Sequence, residues 1–325
     1  MKVVLTGAGG FLGSHVARAL LEKGTLTDSA GCVLPLQELV AVDLHPITQA
    51  WSADPRVKQV TGDITDPAIL ASAITPDCVS IFHFAAMLKA DASKDFAAAM
   101  NFNVRATIDL LERCREIGTR PKFFFASSIG VYGDGHTQVD NLTRHAPVSS
   151  YGSHKAIGEL LVDDYSRADA VDGRGLRFPM VLVRPGRNST AVSGIMSGII
   201  REPMLGADFT IPFASNLRMP VTSAHNAAQV SVQVNDMPAD RFTEGRTVNM
   251  PSLNLSVADL ADAVSTRAPL DSKVGTLSWR MDSAIAGIFN GRPEAIDNRW
   301  ALDNGLMPDA NAATIVDHFI DDLGH

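Results

Sequence analysis

The chain has 325 residues, which is enough for about two domains, or for one large α/β unit that carries a smaller lobe. Hydrophobic residues make up 46% of it and charged residues 20%, proportions that exclude a disordered or low-complexity protein. The 36 acidic and 28 basic residues give a formal net charge of −8 without a Lys/Arg cluster, which argues against a nucleic-acid or membrane partner and favours a small molecule.

Short apolar segments alternate with helical patterns through the first half of the chain. Strands are predicted at residues 2–6, 38–42, 57–60, 79–84 and 122–126, and helices at residues 11–24, 67–74 and 93–117. This alternation is typical of βαβ units. It predicts an α/β fold with a doubly wound parallel sheet.

The sequence changes character in the second half. A helix is predicted at residues 152–167 and a strand at 176–183, after which loop-like segments precede shorter elements and a helix at 256–266. We therefore expect one cofactor-binding domain over residues 1–185, to which some later segments return. The remaining residues, 186–325, are expected to form mainly a small C-terminal substrate lobe.

The amino-terminal sequence MKVVLTGAGG lacks the apolar segment and cleavage site of a signal peptide, and no stretch approaches the roughly 20 apolar residues that span a bilayer. A cytoplasmic protein is therefore expected. Cys32, Cys78 and Cys114 form no CxxC motif, and the nine histidines form no HExxH motif. The sequence predicts neither a disulfide framework nor a metal site.

A glycine-rich turn, TGAGGFLG, joins the first predicted strand to the first predicted helix. Gly7 permits a tight turn, Gly10 lets the backbone approach a pyrophosphate, and Gly13 lets helix and strand pack closely. The first helical turn, which includes Phe11 and Leu12, then offers free N–H groups and a positive dipole end to the phosphates. In this context the turn predicts a Rossmann-type dinucleotide site.

An acidic residue, Asp43, follows the strand predicted at 38–42. Its carboxylate is placed to accept hydrogen bonds from the adenosine ribose hydroxyls and to repel a ribose 2′-phosphate, so NAD is favoured over NADP. Asp43 lies 30 residues beyond Gly13, whereas the usual spacing is about 20, and the insertion GTLTDSAGCVLPLQ accounts for the difference. A surface aspartate without a ribose role is the alternative.

Three side chains form a candidate catalytic group. Tyr151 and Lys155 are four residues apart in one predicted helix, so they lie on the same face about one turn apart. An adjacent ammonium stabilises a tyrosine phenolate, which can then remove a hydroxyl proton as hydride leaves the same carbon. Ser128, at the end of the strand FFFASS, is expected to bind the reacting oxygen. The alternative is an exposed helix pair, because the YxxxK spacing alone is common.

A series of motifs extends across residues 1–190: TGAGGFLG, VTGDITD, IFHFAAM, FNVRAT, FASSIGVYG, YGSHK and LVRPG. In this order they resemble the extended short-chain dehydrogenase/reductase family, the branch that includes nucleotide-sugar epimerases and dehydratases. The resemblance implies a further set of residues around the cofactor. These are Asp63 and Ile64 at the adenine, Ala85 and Ala86 in the cofactor cleft, Pro185 near the nicotinamide, and Asn103 near the site, for which a purely structural role is the alternative.

The stretch from SSYGSHK to REPMLG is similar to the D-erythronate dehydrogenase subgroup, whose enzymes oxidise a small sugar acid with NAD. Its segment RPGRNST differs from the VYGP-type segment that usually follows the RP element in nucleotide-sugar enzymes. A substrate carboxylate needs a cationic or amide partner, for which the planar fork of arginine is well suited. Arg218 is the first candidate and Arg187 the second, and a surface or interdomain ion pair is the alternative for Arg218.

We therefore predict NAD-dependent oxidation of a small, D-erythronate-like sugar acid to the keto acid, with Ser128 and Tyr151 on the reacting hydroxyl. The alternative is a nucleotide-diphosphate-sugar epimerase or dehydratase with tightly bound NAD. A dinucleotide-sensing module without turnover is disfavoured, because Ser128, Tyr151 and Lys155 are all present. The helices at 93–117 and 152–167 resemble the pair that forms a four-helix dimer interface in many family members, so a homodimer is expected.

Overall fold

The computed structural model describes residues 1–88, 92–184, 192–267, 274–287 and 292–323. The chain divides into two compact units. Unit 1 comprises Met1–Val131, Asn141–Phe178 and Ala228–Asn249, and unit 2 comprises Tyr132–Asp140, Pro179–Ala227 and Met250–His325. The division at residue 185 into a cofactor domain and a substrate lobe stays a prediction.

Unit 1 is built on a seven-stranded parallel sheet. Its strands in chain order are β1 (Lys2–Thr6), β2 (Glu38–Asp43), β3 (Val57–Thr61), β4 (Cys78–His83), β5 (Lys122–Ser128), β6 (Asp172–Phe178) and β7 (Thr247–Asn249). They lie in the order β7-β6-β5-β4-β1-β2-β3, and all neighbours pair in parallel. The predicted α/β fold with a doubly wound Rossmann-type sheet is confirmed.

The helices of unit 1 begin and end at local sequence signals. They include α1 (Phe11–Lys23), α2 (Pro67–Ala73), α3 (Phe96–Met100), a π-helical turn (Asn101–Arg105), α4 (Ala106–Ile117) and α5 (Ser150–Arg167). Gly24 ends α1 in the left-handed conformation, with φ +67°. Asp66 and Asp95 cap α2 and α3, and the Ser149 hydroxyl accepts a hydrogen bond from Gly152 N at the start of α5.

The strand predicted at 176–183 is wrong in one respect. It is divided between β6, which ends at Phe178, and a separate strand, Met180–Leu182, which belongs to a three-stranded sheet of unit 2. Pro179 lies between them. Because proline has no N–H to donate to a ladder, it interrupts the run of apolar residues.

Unit 2 contains smaller sheets and helices. The three-stranded sheet consists of Met180–Leu182, Arg218–Ser223 and Leu253–Ser256, and two-stranded pairs form between Phe209–Ile211 and Leu277–Trp279 and between Gln138–Val139 and Ala295–Ile296. The longer helices are Val192–Met204, Ala224–Asp236, which continues into unit 1, Val257–Arg267 and Ala312–Leu323. Three of them, Val192–Met204, Val257–Arg267 and Ala312–Leu323, contribute apolar faces to a core that includes Met196, Leu260 and Val316. In the described parts of the chain, no helix is both long and apolar enough to cross a membrane.

Candidate active site

The glycine turn after β1 excludes side chains by close packing. A Cβ atom at Gly7 would lie 2.7 Å from the backbone nitrogen of Ala85, and one at Gly13 would lie 2.0 Å from the carbonyl oxygen of Gly7. Gly7 also has φ +72°, in the left-handed region that favours glycine. Both predicted roles, the tight turn and the close packing of helix on strand, therefore have a steric basis.

Helix α1 begins without a side-chain cap. Gly10 is the N-cap residue, and its carbonyl accepts the first helical hydrogen bond, from Ser14 N at 2.9 Å. The N–H groups before Ser14, which include those of Phe11 and Leu12, have no partner within the helix. Free N–H groups at the amino end of a helix favour anions, and the contact with a phosphate stays a prediction.

Asp43 ends β2 and reaches the glycine turn. Its Oδ2 atom accepts a hydrogen bond from Gly9 N at 2.9 Å, and Oδ1 accepts one from His45 N at 3.4 Å. The carboxylate is half-buried. The structure thus brings Asp43 to the glycine turn, and the ribose contact stays a prediction.

Four further predicted cofactor residues follow β3 and β4 in the chain. Asp63 accepts a hydrogen bond from Thr65 N at 2.9 Å, and Ile64 is buried beside it. The backbone of Ala85 packs directly on Gly7, and Ala86 is next in the chain. Because the carboxyl ends of neighbouring parallel strands lie at the same edge of a sheet, these residues and the glycine turn share one edge.

Asn103 lies in the π-helical turn and fixes the loop after β4. Its Oδ1 atom accepts a hydrogen bond from Met87 N at 2.7 Å, and its Nδ2 atom donates to the carbonyl of Met87 at 2.9 Å. The side chain is buried. These contacts support the structural role that the sequence left open for Asn103, and a contact with the cofactor stays a prediction.

Ser128 and Tyr151 are brought together by two glycines. A Cβ atom at Gly130 would lie 3.4 Å from Ser128 Oγ and 3.9 Å from Tyr151 Cδ1. A Cβ atom at Gly152 would lie 2.3 Å from the carbonyl oxygen of Gly130, so the start of α5 packs on the backbone after β5. Neither glycine was among the predicted site residues, although Gly130 stands in the motif FASSIGVYG and Gly152 in YGSHK.

Lys155 is a buried cation next to two aromatic rings. Its side-chain nitrogen lies 4.8 Å from the ring centroid of Phe125 and 5.8 Å from that of Tyr151. Burial lowers the pKa of Lys155 to about 8, and the negative charge of Glu159, one turn further along α5, partly offsets this effect. The predicted proximity of Lys155 and Tyr151 is present in the structure.

A buried ion pair next to this group was missed by the sequence analysis. Arg177 on β6 donates to both carboxylate oxygens of Glu159, at 2.8 Å from Nη2 and 3.1 Å from Nε, and Ser127 on β5 donates to the same carboxylate. These bonds attach α5 to the two strands beside it. The position of Glu159 four residues after Lys155 was the available signal, because that spacing places both on one helix face.

Of the two predicted substrate arginines, the structure describes one. Pro185 and Arg187 both fall outside the described residues. Arg218 belongs to unit 2, where it is exposed and donates to the carbonyl of Asn254 at 2.5 Å. Within the described ranges, no group of three or more His, Cys, Asp or Glu side chains could hold a metal ion.

The edge of the sheet fits a dinucleotide on structural grounds. The turn is packed too closely for side chains at Gly7 and Gly13, the adjoining helix has an uncapped amino end, and a carboxylate stands beside the turn at Asp43. A pyrophosphate needs the first two features, and ribose hydroxyls are donors for the third. The residues present therefore suit NAD.

Comparisons with known proteins agree with this geometry. The model of the NAD dependent epimerase/dehydratase family matches residues 3–250. The chain is 37% identical over 325 residues to a D-erythronate dehydrogenase of Cupriavidus necator, covering 100% of this chain and 99% of that protein. It is 32% identical over 324 residues to a D-erythronate dehydrogenase of Haemophilus influenzae, covering 99% of each.

Among solved structures, a nucleoside-diphosphate-sugar epimerase from Agrobacterium tumefaciens has a TM-score of 0.88 and 27% identity, covering 100% of this chain and 95% of that one. The predicted family and the predicted class of oxidoreductase are confirmed. On the combined evidence of its motifs, its sheet and these similarities, the chain belongs to the NAD-dependent epimerase/dehydratase family.

Proposed function

We propose that the protein is an NAD-dependent dehydrogenase that oxidises a secondary alcohol of a small sugar acid, D-erythronate or a close analogue, to the keto acid. The observation that carries this proposal is the grouping of Ser128, Tyr151 and buried Lys155 in the unit that holds the glycine turn. The names of the relatives from C. necator and H. influenzae, which align over nearly the whole chain, support the substrate class.

Tyr151 acts as the general base. Its phenolate oxygen takes the proton of the substrate hydroxyl, and the charge of Lys155, 5.8 Å from the ring centroid, favours the phenolate. Ser128 Oγ hydrogen-bonds the same substrate oxygen and so holds it near Tyr151. NAD, when bound, supplies the acceptor for the hydride that leaves the same carbon.

Asp43 selects NAD over NADP in this proposal. Gly9 N engages Oδ2 of Asp43, so the negative charge is held beside the turn where a ribose 2′-phosphate would come. Asp63 and Ile64 are proposed to border the adenine, and Ala85 and Ala86 to line the cofactor cleft. Pro185 is proposed to approach the nicotinamide.

The substrate carboxylate is proposed to bind an arginine. Arg218 remains the first candidate and Arg187 the second, because a guanidinium can hold a carboxylate through two parallel hydrogen bonds. Such a clamp orients the reacting carbon relative to Ser128 and Tyr151. If Arg218→Ala leaves the Michaelis constant for D-erythronate unchanged, the role passes to another residue while the proposed reaction stands.

A second candidate function is a nucleotide-diphosphate-sugar epimerase with tightly held NAD, which the name of the A. tumefaciens structure favours. Purified protein with NAD, D-erythronate, its neutral parent polyol and UDP-sugars separates the two. We expect a net rise in NADH absorbance with the acid and much less with the polyol. Equal rates on acid and polyol, or interconversion of UDP-sugars without net NADH, would overturn the sugar-acid reaction.

We also propose a homodimer formed through the helices predicted at 93–117 and 152–167. Phe96 on α3 and Leu160 on α5 are 62% and 65% exposed, which leaves apolar area on both helices for a second copy. Light scattering at micromolar concentration should give the mass of two chains. Leu160→Glu should shift it toward one chain. Val33→Glu should not, because Val33 is 68% exposed in a separate antiparallel pair of strands, Thr25–Thr27 and Val33–Pro35.

A further inference from the structure

The segment 47–53, which follows Asp43, has no role in the proposed reaction but is tied to the glycine turn. Three hydrogen bonds fix it: Ile47 N donates to Gln59 Oε1 on β3 at 3.1 Å, Gln49 Nε2 donates to the carbonyl of Gly9 at 3.1 Å, and Trp51 Nε1 donates to Ser14 Oγ on α1 at 2.8 Å. The segment thus runs from β3 past the glycine turn to the first helix.

The peptide groups of Gly9 are held from both sides. Its N–H donates to Asp43 Oδ2 at 2.9 Å, and its carbonyl accepts the hydrogen bond from Gln49. The approach is close, since a Cβ atom at Gly9 would lie 3.2 Å from Asp43 Oδ2 and 3.4 Å from Ile47. Glycine is flexible on its own, so these two side chains limit the conformations of the turn.

Gly10, the residue after Gly9, lies at the end of α1 that is proposed to bind phosphate. Gly10 is the N-cap of α1, and the orientation of the peptide between Gly9 and Gly10 determines how the helix starts. The carbonyl of that peptide is the acceptor for Gln49. A fixed carbonyl keeps the first-turn N–H groups in one direction before a ligand arrives, which lowers the ordering cost of binding.

The side chain of Gln49 is poorly suited to a purely structural role. Its Oε1 atom is buried and has no hydrogen-bond partner within the part of the chain that the structure describes. An unpaired buried acceptor costs folding free energy, and such atoms need another explanation when they occur. An apolar side chain of similar length would fill the same space without this cost.

We propose that Gln49 is a positioning residue of the dinucleotide site, which holds the glycine turn in the conformation that receives the pyrophosphate. This role rests on the proposed NAD site. It predicts that Gln49→Met weakens binding without lowering stability. The affinity for phosphate-bearing ligands falls because the turn is released, whereas the ligand-free protein keeps its stability, because removal of the unpaired buried oxygen offsets the lost hydrogen bond to the carbonyl of Gly9.

Calorimetric titration with NAD, ADP and adenosine tests this role. For Gln49→Met we expect the dissociation constants of NAD and ADP to rise roughly two- to tenfold, the effect of one neutral hydrogen bond, while that of adenosine, followed by NMR, stays the same. The thermal midpoint of the ligand-free variant should equal or exceed that of the parent. Thr48→Ala, at the exposed neighbouring position, should match the parent throughout.

Three results would overturn the role of Gln49. The first is a dissociation constant for ADP that is unchanged in Gln49→Met. The second is an equal loss of affinity for ADP and for adenosine, and the third is a lowered thermal midpoint of the variant that accounts for its weaker binding. Failure of the proposed function gives a different result. A parent protein that binds NAD but oxidises no sugar acid would remove the proposed reaction and leave this binding comparison valid, whereas a parent that binds neither NAD nor ADP would remove the cofactor site as well.

Discussion

Two buried lysines occupy opposite edges of the sheet in unit 1. Lys155 on α5 lies near the carboxyl edge, where its nitrogen faces the rings of Phe125 and Tyr151. Lys122 begins β5 at the amino edge and donates to the carbonyl of Asn235 at 2.7 Å. Burial lowers the pKa of each to about 8. A shifted pKa therefore does not by itself identify a catalytic lysine.

The partners distinguish the two edges. At the amino edge Lys122 and Arg174 both donate to carbonyls at the end of helix Ala224–Asp236, and Arg174 also pairs with Asp172. Cations at that end of a helix satisfy carbonyls that lack helical partners, a stabilising role. At the carboxyl edge the cation lies next to a phenol that can exchange a proton. The two lysines thus have similar burial but different neighbours, a phenol ring at the carboxyl edge and a helix carbonyl at the amino edge.

The largest expected effect is at the carboxyl edge. Tyr151→Phe should fold and bind NAD but lose about 10² to 10⁴-fold in kcat, since it removes the proton acceptor. Tyr165→Phe on the same helix removes a hydroxyl that donates to Glu112, away from the catalytic group, and should keep normal turnover. Steady-state kinetics with a thermal melt separates the two variants. Near-normal kcat in Tyr151→Phe would remove Tyr151 from the mechanism.

The amino edge should respond in stability instead of activity. Arg174→Met leaves Asp172 buried without its main partner and should lower the free energy of unfolding by about 3–5 kcal/mol, with kcat unchanged at a temperature where the variant is folded. Arg167→Met breaks an exposed pair with Asp164 and should cost less than about 1 kcal/mol. Urea titration measures both. A selective loss of kcat in Arg174→Met would break the distinction between the edges.

The sequence predicted the carboxyl edge much better than the amino edge. The turn from Gly7 to Gly13 and the spacing of Tyr151 and Lys155 are local patterns, so a linear reading finds them. The amino-edge contacts join Lys122 and Arg174 to Asn235, which is 113 and 61 residues away along the chain. No periodicity in the sequence encodes such contacts, because they depend on how the end of helix Ala224–Asp236 packs against the strands that carry Lys122 and Arg174.

Local sequence patterns also leave tertiary contacts undetermined. Residues 176–183 have the apolar character of one strand, and only the proline at 179 marks its interruption. Likewise Glu159 is visible as a residue one turn beyond Lys155, but its partner Arg177 comes from another element. Local sequence therefore indicates which residues share a helix face, and tertiary packing decides what that face meets.

Asp43 tests whether the carboxyl edge binds cofactor as proposed. Asp43→Ala should weaken NAD binding by about 1.5–3 kcal/mol, the value of a hydrogen bond to a charged group, and relax the preference over NADP. Asp172, at the amino edge, differs from Asp43 in that its carboxylate pairs with two arginines, Arg174 and Arg246. Titration with both cofactors measures the change. Full NAD affinity in Asp43→Ala would exclude Asp43 as the ribose ligand.

The smallest expected effect is on pH dependence. Both lysines should contribute to the pH dependence of the free energy of unfolding, and only Lys155 should affect that of kcat/KM. In the folded protein burial lowers the pKa of each lysine to about 8, whereas in the unfolded chain the pKa has its ordinary value of 10.5. The unfolded state thus binds more protons between these values, so each lysine makes the free energy of unfolding rise with pH through that window, and its burial cost is complete below it. Lys122→Met and Lys155→Met should each reduce this rise.

In activity only Lys155 matters. The rate of oxidation should increase with pH as Tyr151 ionises, and Lys155→Met should move this increase to higher pH, because the charge that favours the phenolate is removed. Lys122→Met should leave the pH profile of kcat/KM unchanged, since Lys122 lies at the amino edge and donates to a helix carbonyl. A profile of Lys155→Met identical to that of the parent, or an equal shift in Lys122→Met, would show that the charge at the carboxyl edge is not the one that controls the reaction.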